Sequence, residues 1–148
     1  MVDHHVHFSM WSKMRSRISF SGVSSLSEAL ILLNTSAAER DPATQPALVG
    51  QGLMLGSWPD EDVTKMTSLT LDNGVPDTGI PVIIYMNDLH SFWANSSAIR
   101  WLNVPSSMDG YRTGLFREAE CFQMMVVHNV KEAHYLDALL FEASKDAA

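Results

Sequence analysis

The 148-residue chain has one cysteine, Cys121, so no disulfide can form within it. A reducing, cytoplasmic setting is the expectation that follows. Cys121 lies among apolar residues in "REAECFQMMVV" and reads as a packed side chain. Basic residues are few: ten Lys and Arg stand against 17 Asp and Glu, for a formal net charge of -7. That argues against a nucleic-acid partner, because phosphate contacts need clustered cations. The densest basic stretch, "KMRSR" from Lys13 to Arg17, is short and isolated, and reads as a solvated loop. No run is long and apolar enough to span a membrane, and no basic-then-apolar leader opens the chain. A glycine-rich phosphate loop and a G-x-S-x-G nucleophile elbow are both missing, so neither a nucleotide site nor a serine hydrolase finds support.

What is present is a folding composition, with 46% hydrophobic and 18% charged residues. The length suits one domain. "VDHHVHF" reads as a strand over residues 2 to 8, with Asp3, His5 and His7 on one face and His4 on the other. "FSMWSKMRSRISFSG" reads as a loop. "SLSEALILLNTSAAER" predicts a helix over about 25 to 40, with Ser25 and Glu28 at capping-box spacing and Leu26, Ala29, Leu30, Leu33 and Ala37 on one stripe. "ALVGQGLMLGSWP" predicts a short bent strand, "DEDVTKMTSL" a short helix, and "DNGVPDTG" a turn. "IPVIIYM" predicts a buried strand over about 81 to 86. "NDLHSFWANSSAIRWL" leaves that strand and enters a helix capped by Asn95 or Ser96, and "NVPSSMDGYRTG" reads as a loop. Two helices are expected to close the chain, one with a stripe of Leu115, Ala119, Phe122 and Val126, the other with Leu136, Leu139, Leu140 and Ala143. Intermixed strands and helices place the chain in the α/β class.

Three places could carry chemistry. His5 and His7, one residue apart on a strand, can reach one ion, since zinc takes imidazole nitrogen at about 2 Å. An isolated H-x-H also arises on ordinary surfaces. Asp88, His90, Trp93 and Asn95 follow the end of the buried strand, where α/β proteins gather functional residues. On the residues alone the plainer reading is a turn followed by a helix cap, with Asn95 capping, Trp93 packing and His90 exposed. Glu118 in "TGLFREAE" is a third candidate, or a solvated helix residue. His128 and His134, six apart, share no helix face and read as structural or exposed.

In order, "DHHVHF", "LSEALILL", "VGQGLMLGSWPDE", "PVIIYMNDLHSFWANSSAIRWL" and "YRTGLFREA" resemble the N-terminal third of amidohydrolase family 3, the YtcJ-like metal-dependent hydrolases of the amidohydrolase superfamily. The resemblance runs along nearly the whole chain. It implies a (β/α)8 barrel with a divalent metal site, usually zinc, whose activated water attacks an amide-type carbonyl. It places His5 and His7 as metal ligands. It sets Asp88, His90, Trp93, Asn95 and Glu118 near the pocket of a small-molecule amide-type substrate. The family's bridging lysine or carboxylate, its two further histidines and its proton-shuttling aspartate are not matched in this chain.

A whole barrel needs about 250 residues. Residues 1–148 are therefore expected to form a single incomplete domain, holding the first strand and the excursion before the second, with little activity alone. Uncovered strand edges favour self-association. The alternative is a non-enzymatic α/β interaction module.

Overall fold

The computed structural model describes residues 17–43, 45–75 and 79–146, with side chains described as far as residue 134. The strand expected over residues 2 to 8, with His5 and His7, lies outside the described residues.

Among the described residues five strands form one sheet in the order β1-β2-β3-β4-β5. They are β1 (Ile18–Ser19), β2 (Leu48–Leu53), β3 (Val82–Met86), β4 (Ser91–Ala94) and β5 (Leu115–Arg117). The pairs β1/β2 and β2/β3 are parallel, and the pairs β3/β4 and β4/β5 are antiparallel. The helices are α1 (Leu26–Glu39), α2 (Asp60–Thr64), α3 (Ser68–Gly74), α4 (Ser96–Trp101), α5 (Asp109–Thr113) and α6 (Glu118–Asp146), with a 3-10 turn at Leu55–Ser57.

Local chemistry sets the boundaries. Ser25 is extended and its Oγ accepts from the Glu28 N–H at 3.3 Å, which starts α1. The Glu28 carboxylate reaches back one residue further than a capping box, accepting from the N–H and the hydroxyl of Ser24 at 2.8 and 3.0 Å. Those bonds, the backbone one first, hold its carboxyl below the usual range. Leu26, Ala29 and Leu33 turn the apolar stripe inward. In β2 the bend falls at Gly52, whose φ of 84° accompanies a register shift between Gln51 and Leu53.

The strand alternation of β3 builds two cores. Val82, Ile84 and Met86 join Leu48, Leu53 and the inner face of α1. Ile83 and Tyr85 join Phe92, Phe116, Ala98, Ile99, Cys121 and Met124. Helices thus cover both faces, which explains why all five β3 residues are buried.

The structure corrects several expectations. The stretch ending in "RISFSG" contains β1. "SFWA", expected as the approach to a helix, is β4, and its antiparallel pairing to β3 completes a hairpin. "DNGVPDTG" begins inside α3. "DGYRT", expected as loop, is α5. One 29-residue helix, α6, stands where two were expected. Its stripe is also rotated: Cys121, Met124 and His128 face inward, while Phe122 and Val126 are exposed, because Leu115 belongs to β5 and the helix starts only at Glu118. The α/β class stands. A barrel segment of parallel strands alone would not contain the antiparallel β4 and β5.

Candidate functional site

The parallel strands β2 and β3 and the outer strand β5 end at one edge of the sheet, where β4 begins. Ligands in α/β proteins bind beyond such carboxyl ends. A groove of about 320 Å³ lies there. Its apolar wall is Leu53, Met54, Leu55, Met86 and Leu115, and its polar rim is Asn87, Asp88, Ser91 and Arg117. The turn beside it is tightly built. The Asn87 N–H donates to the Leu53 carbonyl at 2.9 Å, and the Leu89 N–H donates to Met86 at 3.1 Å. Asp88 Oδ1 accepts from the His90 N–H at 2.9 Å. Leu89 takes a φ of 60°. Positive φ at a bulky residue is strained and persists only when neighbours impose it.

The same edge brings His90 and Glu118 together. The Glu118 N–H donates to the His90 carbonyl at 2.8 Å, and His90 Nδ1 lies 3.2 Å from Glu118 Oε2. Phe122 meets the imidazole edge-on, 5.0 Å between centroids. Glu118 has a φ of 45°, a second strained non-glycine residue at this rim. Both side chains are largely exposed, at 52% and 75%. Solvent screening leaves such a pair little value for stability. What it does is orient the imidazole and leave Nε2 outside the pair.

Three of the five residues expected near a substrate therefore gather at this edge of the sheet, Asp88 in the groove lining and the His90–Glu118 pair beside it. Trp93 and Asn95 are held elsewhere. Trp93 is fully buried and donates from Nε1 to the Thr67 carbonyl at 2.9 Å. Asn95, also fully buried, accepts through Oδ1 from Val82 and Ala98 at 3.0 and 2.8 Å and donates from Nδ2 to Ile80 at 2.8 Å. These are framework bonds at the opposite end of β4. Sequence reasoning missed Arg117 and the Leu53–Leu55 wall. Their signal was the strand pattern of "GLFRE" and "GLMLG", which ends each apolar run at the same edge.

Cys121 does not act as a nucleophile in this arrangement. It is buried, its Sγ lies 3.7 Å from the Leu89 carbonyl, and burial, then the negative charges of Asp88 and Glu118, push its thiol up to about 11. Among the described residues no three His, Cys, Asp or Glu side chains converge to hold a metal ion. The rim residues alone do not form a metal centre, and His5 and His7 lie outside the described residues. No helix among the described residues is long and apolar enough to cross a membrane.

No family model matches the chain, and no curated protein matches it. Two solved structures do. One is an uncharacterized metal-dependent hydrolase from Pyrococcus horikoshii OT3, with a TM-score of 0.65 and 23% identity over 90% of this chain and 26% of that one. The other is an uncharacterized metal-dependent hydrolase from Pyrococcus furiosus, with a TM-score of 0.64 and 25% identity over 92% of this chain and 27% of that one. The chain spans about a quarter of the length of each. It shares its fold with one portion of these two proteins.

Proposed function

We propose that this chain is one part of a metal-dependent hydrolase of the amidohydrolase type, and that the groove is its share of the site for a small amide-type substrate. One observation carries this: His90 and Glu118, 28 positions apart in sequence, meet beyond the strand ends, next to the Asp88 turn that lines the groove. The two similar structures, both metal-dependent hydrolases, support the reading. Their greater length supports a barrel completed by residues outside these 148. A divalent ion, zinc first, would rest on His5, His7 and ligands from beyond this chain, and would supply a bound water of pKa about 7. The chain's own residues then bind and orient. The apolar wall excludes water from the substrate body, and Glu118 fixes the His90 ring.

A second reading, an interaction module, draws on one observation. Phe122, Val126 and Val130 are exposed at 44%, 64% and 50%, four residues apart along α6. That stripe suits a helix awaiting cover, either by the rest of a barrel or by a second copy.

Calorimetric zinc titration separates the readings. The 148-residue chain should bind zinc weakly, because two imidazoles supply only part of a coordination shell. A chain extended to the length of the two similar hydrolases should bind tightly, and His5→Ala with His7→Ala should abolish both tight binding and amide hydrolysis. Tight binding by the short chain, removed by His5→Ala, would show that the ligand set is complete here. Failure of the extended chain to bind would leave the interaction module.

A further inference from the structure

We infer that the groove selects amide substrates that carry a carboxylate on an apolar body, and that Arg117 is the residue that grips the carboxylate. The inference deepens the hydrolase reading and takes from it only that the bound molecule is a substrate. Arg117 is the last residue of β5, and its pairing with Ser91 places both on the groove side of the sheet edge. The chain turns sharply at Glu118, through its φ of 45°, so the strand delivers Arg117 to the rim and stops. Among the described residues that line the groove, Arg117 is the one cation and Asp88 the one anion.

The two charges do not neutralise each other. Asp88 uses Oδ1 to close its own turn, and Arg117 makes no ion pair or side-chain hydrogen bond among the described residues. An exposed arginine usually pairs with water, and on a flat surface that would be sufficient. Here Arg117 lines a concave groove together with the apolar Leu53, Leu55, Met86 and Leu115. Ligand pockets have this design, apolar lining with a few placed polar groups. The planar fork of arginine matches the two oxygens of a carboxylate. A phosphate dianion fits less well, because Asp88 on the same rim and Glu118 next in the chain repel a second negative charge.

The test uses the 148-residue chain without metal, labelled for nuclear magnetic resonance. N-acetyl-L-leucine should shift the Arg117 side-chain Nε–H and the amides of Leu53, Leu55 and Ser91 saturably. N-acetyl-L-leucinamide, equal in shape but neutral, should bind about tenfold more weakly, as expected for losing a charge-assisted hydrogen bond. Arg117→Gln should bind acid and amide alike, and Arg117→Lys should keep part of the preference. Spectra unchanged away from the groove will confirm that both variants fold. Equal binding of acid and amide, a preference that survives Arg117→Gln, or no binding of either would overturn the inference. Displacement of the acid by inorganic phosphate at equal or lower concentration would also overturn it, in favour of a phosphate site. Because no metal is added, this experiment can fail while the zinc titration succeeds, and the reverse.

Discussion

The two ends of β4 are built on opposite principles. At Ala94 and Asn95 every polar group has a buried partner. Asn95 ties together the entry of β3, the start of α4 and the Ile80 carbonyl, and the Ala94 N–H donates to Gly114 at 2.8 Å. Ser96 adds a bond from its N–H to Asp72 at 3.0 Å. At the other end, Ser91 opens beside the groove, His90 and Glu118 are mostly exposed, and Leu89 and Glu118 carry positive φ. Four residues separate a buried, fully bonded end from an exposed and strained one. The contrast matches the division in parallel-strand folds, where one edge carries stability and the carboxyl edge carries function. Substitutions at the two ends should therefore fail in different ways.

The largest loss should come at the closed end, from Gly114→Ala. Gly114 has a φ of 82°, and a Cβ there would sit 2.5 Å from the Ser68 nitrogen and 2.7 Å from the Ala94 carbonyl oxygen. Both are backbone atoms and cannot swing aside. Strain and clash together should cost about 4 kcal/mol, seen as a lowered urea midpoint with unchanged slope. Asn95→Ala should come next, at about 3 kcal/mol, since it leaves two buried N–H groups and one carbonyl without partners. A loss below about 1 kcal/mol in either would mean that the closed end is not the stable one.

How much of this was legible in the sequence differs by element, and the reason is physical. β3 and α1 were readable because each carries its own signal: a β-branched apolar run of five, and a cap followed by a 3.6-residue stripe. β1, β4 and β5 have two, four and three residues, and strands so short exist only through their neighbours. Missing β5 displaced the expected stripe of α6, so Met124 passed unnoticed as core, while of the two readings given to His128, structural or exposed, burial selects the structural one. At the site, the residue types of Asp88, His90 and Glu118 were visible, but their meeting depends on β4 pairing with β5. Trp93 and Asn95 were equally visible, and burial gave them a framework role that composition cannot distinguish from a binding one.

Between the two ends, the inner face of β3 gives a prediction of middle size. Tyr85 is buried, its hydroxyl lies 2.7 Å from His128 Nδ1, and the Arg17 guanidinium sits 5.0 Å from its ring centroid. Burial raises the Tyr85 phenol well above its ordinary value near 10, with Arg17 opposing. The unfolded chain releases this proton near pH 10 and the folded chain keeps it. The resulting stability is present in full below about pH 10 and is lost as pH rises beyond it. Cys121, raised from about 9 to about 11, adds a loss across that interval. Tyr85→Phe should cost about 1 kcal/mol at pH 7, through the missing hydrogen bond, yet flatten the alkaline fall. Urea midpoints of both proteins from pH 7 to 11 measure this directly. An alkaline slope that is identical in Tyr85→Phe would rule out the buried phenol as its source.

The smallest stability effects should come from the open end, and that is what makes them informative. His90→Ala removes an exposed contact with Glu118 at 3.2 Å and one ring edge on Phe122. Exposed pairs of this kind contribute about 0.2–1 kcal/mol, so the urea midpoint should barely move. Glu118→Gly should even raise it slightly, because glycine adopts the φ of 45° without strain. Both changes should nevertheless weaken hydrolysis in the extended chain, since the His90 ring loses its orienting carboxylate or is itself removed. A variant that is stable but impaired fits an end of the strand kept strained for function. If His90→Ala instead lowered stability as far as Asn95→Ala, the imidazole would be a structural tie, and the two ends of β4 would serve one purpose.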